Sequence, residues 1–303
     1  MATINYATKY SKKVDERFAL VAKTAPAVNK DYDFVGVKSV HVYSVGVAAM
    51  NDYSRTGSSR YGTANDLDIT DEELVMKKDR SFTFVIDRGN REDTEMVAEA
   101  GASLNRQITE VVAPEIDKYR LAVLAALAGT KSTPAAITKN NAYSAFLDAN
   151  EALNDAYAPE AGRICYCSTA FYKAIKQDDA FIKKGDMAQT ITINGVVGEV
   201  DGVPIIVMPK SYMPTKTDFI ITNPVACTSP MKLQTYKIHE DPPGISGWLV
   251  EGRVYYDAFV LGNKKKAVYR HLNAALTEQE TTNEVVYANA PAKAPANTPA
   301  NAE

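Results

Sequence analysis

Alternation of apolar and polar residues early in the chain predicts a β-hairpin with a long polar tip. Residues 37–48 alternate valine with Lys, Ser, His and Tyr, a pattern typical of a strand. Further strands are predicted at 74–76 and 82–86, after a mostly polar stretch at 51–70. An isolated hairpin buries little surface and is only marginally stable in water. We therefore expect this arm to lie on another surface.

The polar tip of the arm is too long to be an ordinary turn. Loops beyond about 12–15 residues without structure of their own are usually functional or disordered. The tip contains Tyr53, Arg55, Arg60 and Tyr61, and tyrosine and arginine are enriched at protein interfaces. We predict that these four residues form a contact surface; a disordered surface loop is the alternative.

Apolar residues spaced three and four apart predict a long helix after the hairpin. The periodic stretch runs from about 93 to 128, and an Asn or Asp among residues 90–93 can cap its first N–H groups. Gly129 supplies a C-terminal stop. Because an interior proline kinks a helix, we predict one long helix bent at Pro114, with two helices as the alternative.

The second half of the chain alternates helix and strand patterns. A helix is predicted at 143–157 and a strand at 163–167, followed by a helix that Ser168 or Thr169 caps and that ends near residue 177. These elements indicate a mixed helix and strand fold, with both kinds of element in one segment.

Two dipeptides predict tight hairpin turns. Asn194-Gly195 and Asp201-Gly202 suit type I′ turns, which need positive φ at both central residues. We predict a meander with strands at 190–193, 196–200 and 203–208, and later strands at 219–221, 247–260 and 266–269. Residues 1–36 are predicted to form an extended segment with one or two helical turns. The residues from about 289 form a low-complexity tail that cannot bury a core.

Composition narrows the function classes. The chain has 303 residues, 46% of them hydrophobic, and carries 34 Lys and Arg against 37 Asp and Glu, a net charge of -3. Sequence-independent binding of nucleic acid needs clustered cations, and the lysines at 264–266 are better explained as a solvated turn. No apolar run suggests a signal peptide or a membrane span, so we expect a soluble protein made in the cytoplasm. Cys165, Cys167 and Cys227 are expected to be buried free thiols in a reducing compartment.

No residue pattern predicts catalysis. His41, His239 and His271 lie far apart in unlike contexts, and no nucleophile elbow, zinc-binding helix or phosphate loop is present in the sequence. Gly195, Gly198 and Gly202 do not join a strand to a helix, which argues against a dinucleotide site. We therefore predict no catalytic, cofactor-binding or metal-binding residues.

The order of these elements resembles the major capsid proteins of tailed bacteriophages, which have the Hong Kong 97-type fold. Five collinear phrases within residues 37–272 carry the resemblance: DYSRTGSSRYG, KKDRSFTFVIDRGNREDT, VAPEIDKYRLAVLAALAG, INGVVGEVDGVPIIVMP and GWLVEGRVYYDAFVLGNKKKAVY. The resemblance implies an α+β fold. It also implies an N-arm at 1–36, an extended loop at 37–90, a peripheral domain with the spine helix at 91–130 and 236–272, an axial domain at 131–235, and a C-terminal extension at 273–303.

The resemblance also implies a structural function and a set of partners. The chain would assemble with itself into pentamers and hexamers of an icosahedral head that encloses double-stranded DNA without sequence-specific contact, and Tyr53, Arg55, Arg60 and Tyr61 would contact a neighbouring subunit. A portal and a separate scaffolding protein are expected, since the chain has no room for a scaffolding segment. Lys77, Lys78 and Asn263 lie in regions roughly suited to the Lys–Asn cross-link of some members, but no motif aligns them. An encapsulin-type compartment shell and a cytosolic enzyme are the alternatives.

Overall fold

The computed structural model describes residues 22–29, 31–32, 34, 39–62, 66–67, 69–93, 100–178 and 196–289. The strands are β1 (Ser39–Val45), β2 (Ile69–Val75), β3 (Lys78–Asp87), β4 (Thr130–Lys131), β5 (Ile164–Ser168), β6 (Val196–Val200), β7 (Val203–Met208), β8 (Thr217–Thr222), β9 (Cys227–Thr228), β10 (Met231–Glu240), β11 (Gly247–Tyr256), β12 (Phe259–Val260) and β13 (Val268–Leu272). The helices are α1 (Arg88–Asp93), α2 (Ala100–Gln107), α3 (Ala113–Ala126), α4 (Ala142–Asp155), α5 (Thr169–Lys176) and α6 (Glu278–Asn289).

The early hairpin is present and is longer than its sequence pattern indicates. β1 and β2 pair antiparallel from Ser39 opposite Val75 to Val45 opposite Ile69. β2 therefore begins inside the stretch predicted to be polar tip, because its Asp71, Glu72 and Glu73 conceal the strand in the sequence.

A three-stranded sheet lies beside the hairpin, in the order β10-β11-β3. β10 was not predicted, and the single strand predicted at 247–260 is divided into β11 and β12. At the centre, Gly252 lies between Phe82 and Tyr236 on the neighbouring strands. Any Cβ at Gly252 would overlap the Phe82 ring, so this glycine lets the aromatic side chains cover the middle strand.

The main core surrounds a six-stranded sheet in the order β4-β13-β8-β5-β7-β6. The predicted hairpin of strands 196–200 and 203–208 is confirmed as β6 and β7. β5 lies between β7 and β8 and pairs parallel with β7, an arrangement that no sequence pattern predicted. The turn between β6 and β7 is confirmed: Asp201 and Gly202 have φ of 52° and 73°. Residues 190–195, with the Asn194-Gly195 turn, lie outside the described residues.

Helices cover both faces of this sheet. On one face, Phe219 of β8 contacts Phe146 of α4 and Phe171 of α5, with ring centroids 6.1 and 4.5 Å away. α4 and α5 are confirmed, and Ser168 caps α5 by accepting a hydrogen bond from the Phe171 N–H. On the other face, Arg270 of β13 donates to the Ala125 carbonyl of α3.

The long helix is confirmed in part. α2 continues through a π-helical turn at Ile108–Val112 into α3, and Pro114 lies in the first turn of α3. A proline donates no backbone N–H, which suits this change in hydrogen-bond pattern. Residues 94–99 lie outside the described part, so the link to α1 stays a prediction.

Both predicted ends of that helix are wrong. α1 begins at Arg88, so residues 90–93 lie inside a helix and do not cap one. α3 ends at Ala126, and Gly129 lacks the positive φ of a helix stop. Gly129 instead allows close approach of two backbones, because a Cβ there would lie 2.6 Å from the Lys265 carbonyl. The strand predicted at 266–269 begins only at Val268, after a 3-10 turn at Lys265–Ala267.

A C-terminal helix, α6, was not predicted. Thr277 and Glu280 form a capping box: the Thr277 N–H donates to Glu280 Oε2 and the Glu280 N–H donates to Thr277 Oγ1. The Lys216 ammonium also binds Glu280, and these bonds lower the pKa of Glu280 to about 2. Arg270, fully buried, donates to both carboxylate oxygens of Glu284 at 2.6 and 2.8 Å. The tail beyond residue 289 lies outside the described residues.

The three cysteines are buried and unpaired, as predicted. Burial raises the pKa of the Cys165 and Cys167 thiols far above the ordinary range and that of Cys227 to about 12. None of the described helices is both long and apolar enough to cross a membrane.

Candidate contact surface on the arm

The arm, residues 39–75, has two faces that differ in burial. Side chains alternate along a strand, so the antiparallel register places Val40, Val42 and Leu74 on one face and Tyr43, Val45 and Ile69 on the other. The first set packs against the body of the protein, whereas the second set faces outward and is exposed.

A small apolar cluster holds the base of the arm. Leu74, Met76, Phe34 and Leu261 are buried together, and the Phe34 ring stacks on Phe259 with centroids 5.9 Å apart. Val42 packs against this cluster, whereas Val45 is exposed. Phe82 and Phe84 stack on each other in the three-stranded sheet. Those two phenylalanines lie in β3, and among the described residues β3 pairs with β11 and not with the arm.

Polar contacts fix the arm to the loop after β12. The Gly262 N–H donates to Glu72 Oε2 at 2.9 Å, and Asn263 Nδ2 donates to Ser44 Oγ at 3.1 Å. Where the arm joins β3, the Lys77 N–H donates to Asp257 Oδ2 at 2.7 Å. Burial raises the pKa of Asp257, and hydrogen bonds from Tyr119, Ala258 and Lys77 partly offset that effect. The base of the arm is therefore held at several points.

Apolar side chains are exposed on the outward face of the paired strands and in the segments just beyond them, and together they are here called the apolar stripe. Its members are Tyr43, Val45, Val47, Met50, Leu67 and Ile69. Tyr43 is 68% exposed, and Val47 and Met50 are 95% and 97% exposed. Such a concentration of exposed apolar side chains on one arm is typical of an interaction site. This surface was not predicted from the sequence. Its only signal there is the presence of Val47 and Met50 just before the polar stretch and of Leu67 and Ile69 near its end.

The tip of the arm brings together all four residues predicted to make contacts. The rings of Tyr53 and Tyr61 meet edge to face with centroids 5.1 Å apart. Between them the Ser54 N–H donates to the Arg60 carbonyl at 2.9 Å, and Arg60 Nε donates to the Gly57 carbonyl at 3.1 Å. Arg55 is exposed at the start of this turn. In the described part of the chain the hydrogen bonds of the tip join tip residues to one another, which leaves its aromatic and cationic groups facing solvent.

The outward face is charged near the base of the arm. His41 Nδ1 lies 2.8 Å from Asp71 Oδ2, and His41 Nε2 lies 4.0 Å from Glu73 Oε1. All three side chains are about half exposed, where such pairs contribute little to stability. The arm therefore changes from charged at its base to apolar and aromatic at its end.

The arrangement offers contact surface rather than reactive groups. Among the described residues no group of three or more His, Cys, Asp or Glu side chains could hold a metal ion. Exposed tyrosines, arginines and aliphatic side chains are suited to binding another protein.

Comparison with known proteins decides the family. The model of the phage capsid protein family matches residues 64–271, which is more than half of the chain. The chain belongs to the phage capsid protein family. It is a structural capsid protein, and its place is the capsid of a virion. No curated protein matches the sequence significantly.

Solved structures show the same fold. A chain from a structure of Mycobacterium phage Che8 is 18% identical, with a TM-score of 0.65 over 89% of this chain and 98% of that chain. A chain from the capsid structure of the cyanophage P-SCSP1u is 15% identical, with a TM-score of 0.69 over 89% and 93%. A chain from the mature capsid of bacteriophage PhiM1 is 10% identical, with a TM-score of 0.63 over 88% and 92%. The α+β fold is therefore of the Hong Kong 97 type, as the resemblance implied.

Proposed function

We propose that the chain assembles with itself into pentamers and hexamers that close into an icosahedral head around double-stranded DNA, and that the arm lies against a neighbouring subunit. The observation that carries this proposal is the apolar stripe. Exposed aliphatic and aromatic side chains on a two-stranded arm do not stabilise the single subunit. Each stabilises an interface by about 1.5–3 kcal/mol when it is fully buried there. A neighbouring subunit supplies the surface that the subunit itself lacks.

The tip contributes specificity in this proposal. Tyr53 and Tyr61 offer aromatic surface, and Arg55 and Arg60 offer donors to carboxylates or carbonyls of the neighbour. Tyrosine and arginine are prominent among residues whose truncation weakens interfaces by more than about 2 kcal/mol. The edge-to-face Tyr53–Tyr61 pair presets the shape of this surface, which reduces the entropy lost on binding.

The division into domains and the partners belong to the same proposal. The N-arm is 1–36, the extended loop 37–90, the peripheral domain 91–130 and 236–272, the axial domain 131–235 and the C-terminal extension 273–303. A separate scaffolding protein and a portal assist assembly in host cytoplasm, and the packaged DNA is held without sequence-specific contact. Neither catalysis nor a cofactor is needed for these roles.

Deletion of the tip tests the role of the arm. Residues 51–67 are removed and replaced with an Asn-Gly turn, which leaves β1 and β2 intact. Long surface loops contribute little to stability, so circular dichroism of the unassembled chain should match wild type. Electron microscopy of the same chain, co-expressed with its scaffolding protein, should show failed or irregular shells.

Point substitutions test the contribution of the aromatic contacts without changing the length of the loop. The Tyr53→Ser/Tyr61→Ser double variant should lose regular shells, whereas the matched Tyr53→Phe/Tyr61→Phe variant keeps the rings and should retain them. Normal shells from both the deletion and the serine variant would refute the contact role. Purified wild-type particles that contain a cargo protein and no DNA would instead favour a compartment shell.

A further inference from the structure

A buried histidine and a partly buried carboxylate face each other at the main sheet without forming a hydrogen bond. His271 of β13 and Asp218 of β8 place Nδ1 and Oδ2 3.6 Å apart, beyond hydrogen-bond distance. Both atoms are buried, and neither has a hydrogen-bond partner among the described residues. An unsatisfied buried polar group costs free energy and calls for an explanation.

An irregularity in the sheet puts the two side chains together. His271 pairs with Phe219 and Leu272 pairs with Thr217, so Asp218 is an extra residue without a partner on β13. Such a bulge redirects a side chain that strict alternation would place on the other face. The Phe219 ring also stacks on His271, with centroids 4.9 Å apart and planes 16° apart. The imidazole is therefore held firmly beside the carboxylate.

The other charged groups near the pair are mostly acidic or already engaged. Asp148 of α4 lines the same cavity of about 170 Å³ as His271, together with Ser132, Asn141, Ser144 and Tyr269. Lys216, two residues before Asp218, directs its ammonium to Glu280 of α6. Asp218 therefore lies beside the imidazole, and Asp148 lines the same cavity.

We propose that His271 and Asp218 form a proton-operated clasp. When the imidazole takes up a proton, Nδ1–H donates to Asp218 Oδ2, and both orphaned atoms gain a charge-assisted hydrogen bond. The second oxygen, Asp218 Oδ1, already accepts from Asn273 Nδ2 at 3.1 Å. In the closed clasp, the Asp218 carboxylate therefore binds both His271, near the end of β13, and Asn273, in the segment that leads to α6. Mild acid stabilises this part of the subunit, and neutral pH loosens it.

The experiment compares thermal unfolding of the full chain with that of His271→Asn at pH 7.5 and pH 5.5, the interval in which histidine side chains ordinarily take up a proton. Asparagine places a neutral donor near the position of Nδ1. Relative to His271→Asn, wild type should gain about 3 °C in unfolding temperature when the pH falls to 5.5. Asp218→Asn should abolish the gain. The matched control is His239→Gln, which removes an exposed histidine 3.3 Å from Glu251 and should leave the gain unchanged.

A direct measurement keeps the proposal testable if a core variant does not fold. The chain has three histidines, so the ring-proton NMR signal of His271 in wild type can be followed through the same pH range. A signal that titrates in this range supports the clasp. An imidazole that stays neutral down to pH 5.5, or equal pH dependence of wild type and His271→Asn, overturns it.

Discussion

The arm and the six-stranded sheet are built from the same residue types but use them in opposite ways. In the sheet, β5 and β13 are buried along their whole length between helices on both faces. In the arm, the β-branched and aromatic residues of the outward face stay exposed because no second layer covers them. The difference is therefore one of layers, and in our proposal a neighbouring subunit supplies the layer that the arm lacks.

This difference divides the stability of the subunit from the stability of the assembly. Substitutions in the sheet should lower the free energy of unfolding of the single chain. Substitutions on the outward face of the arm should leave that quantity almost unchanged and weaken assembly. Four substitutions test this division, in order of decreasing expected effect on the unfolding free energy.

Phe219→Ala should have the largest effect. The Phe219 side chain is fully buried and its ring contacts those of Phe146, Phe171, Tyr269 and His271. Truncating a buried phenylalanine costs about 3–5 kcal/mol through lost transfer energy and the cavity left behind. Urea unfolding of the unassembled chain measures the change. A loss of unfolding free energy below about 1 kcal/mol would mean that neighbouring side chains refill the cavity, and it would contradict a tightly packed core around Phe219.

Glu284→Ala should cost about 3 kcal/mol, because it leaves the fully buried Arg270 guanidinium without its carboxylate. The same urea titration measures it, and limited proteolysis should cut first near α6. The double variant Arg270→Met/Glu284→Met is the control, since it removes both charges and should recover most of the loss. A single variant as stable as wild type would show that α6 does not depend on this pair.

Gly202→Ala should cost about 1–2 kcal/mol, because φ is 73° there and a side chain strains this conformation. Gly57→Ala in the tip provides the matched comparison: φ is 89°, and at both positions an added Cβ meets nothing within 4 Å. The local strain is alike, but Gly57 lies outside the cooperative core. Urea unfolding should therefore register the first variant and not the second. Equal losses would contradict the division between arm and core.

Tyr43→Ser should change the unfolding free energy by less than about 0.5 kcal/mol, because Tyr43 is largely exposed in the single subunit. Light scattering should nevertheless show slower or incomplete assembly. Thr70→Ser, on the opposite face of the arm, is the control variant and should assemble like wild type. A large loss of subunit stability from Tyr43→Ser would reveal a contact within the chain.

Local chemistry explains which elements could be predicted from the sequence. The Asp201-Gly202 turn, the Ser168 cap and the amphipathic α4 depend on neighbouring residues, and each is present in the structure. The aromatic and arginine residues of the tip were also recognisable by type, and the structure gathers them in one turn.

Long-range pairing explains much of what was missed. The insertion of β5 between β7 and β8 depends on strands far apart in sequence, and the mixed composition of β10 does not alternate cleanly. α6 is largely polar and depends on Arg270 for its position, although the Thr277–Glu280 capping box was visible in the sequence. The apolar stripe is hard to recognise in the sequence, because Val47 belongs to the predicted strand at 37–48 and Leu67 and Ile69 fall within the mostly polar stretch at 51–70.

Thiol chemistry gives the arm a practical use. All three native cysteines are buried, and the raised pKa values of their thiols disfavour the thiolate that maleimides attack. A cysteine introduced at exposed Ser58 would therefore react selectively in the folded chain. A fluorophore attached there would lie at the far end of the arm. If the arm binds a neighbouring subunit as proposed, the change in emission would report the rate of that binding during shell assembly.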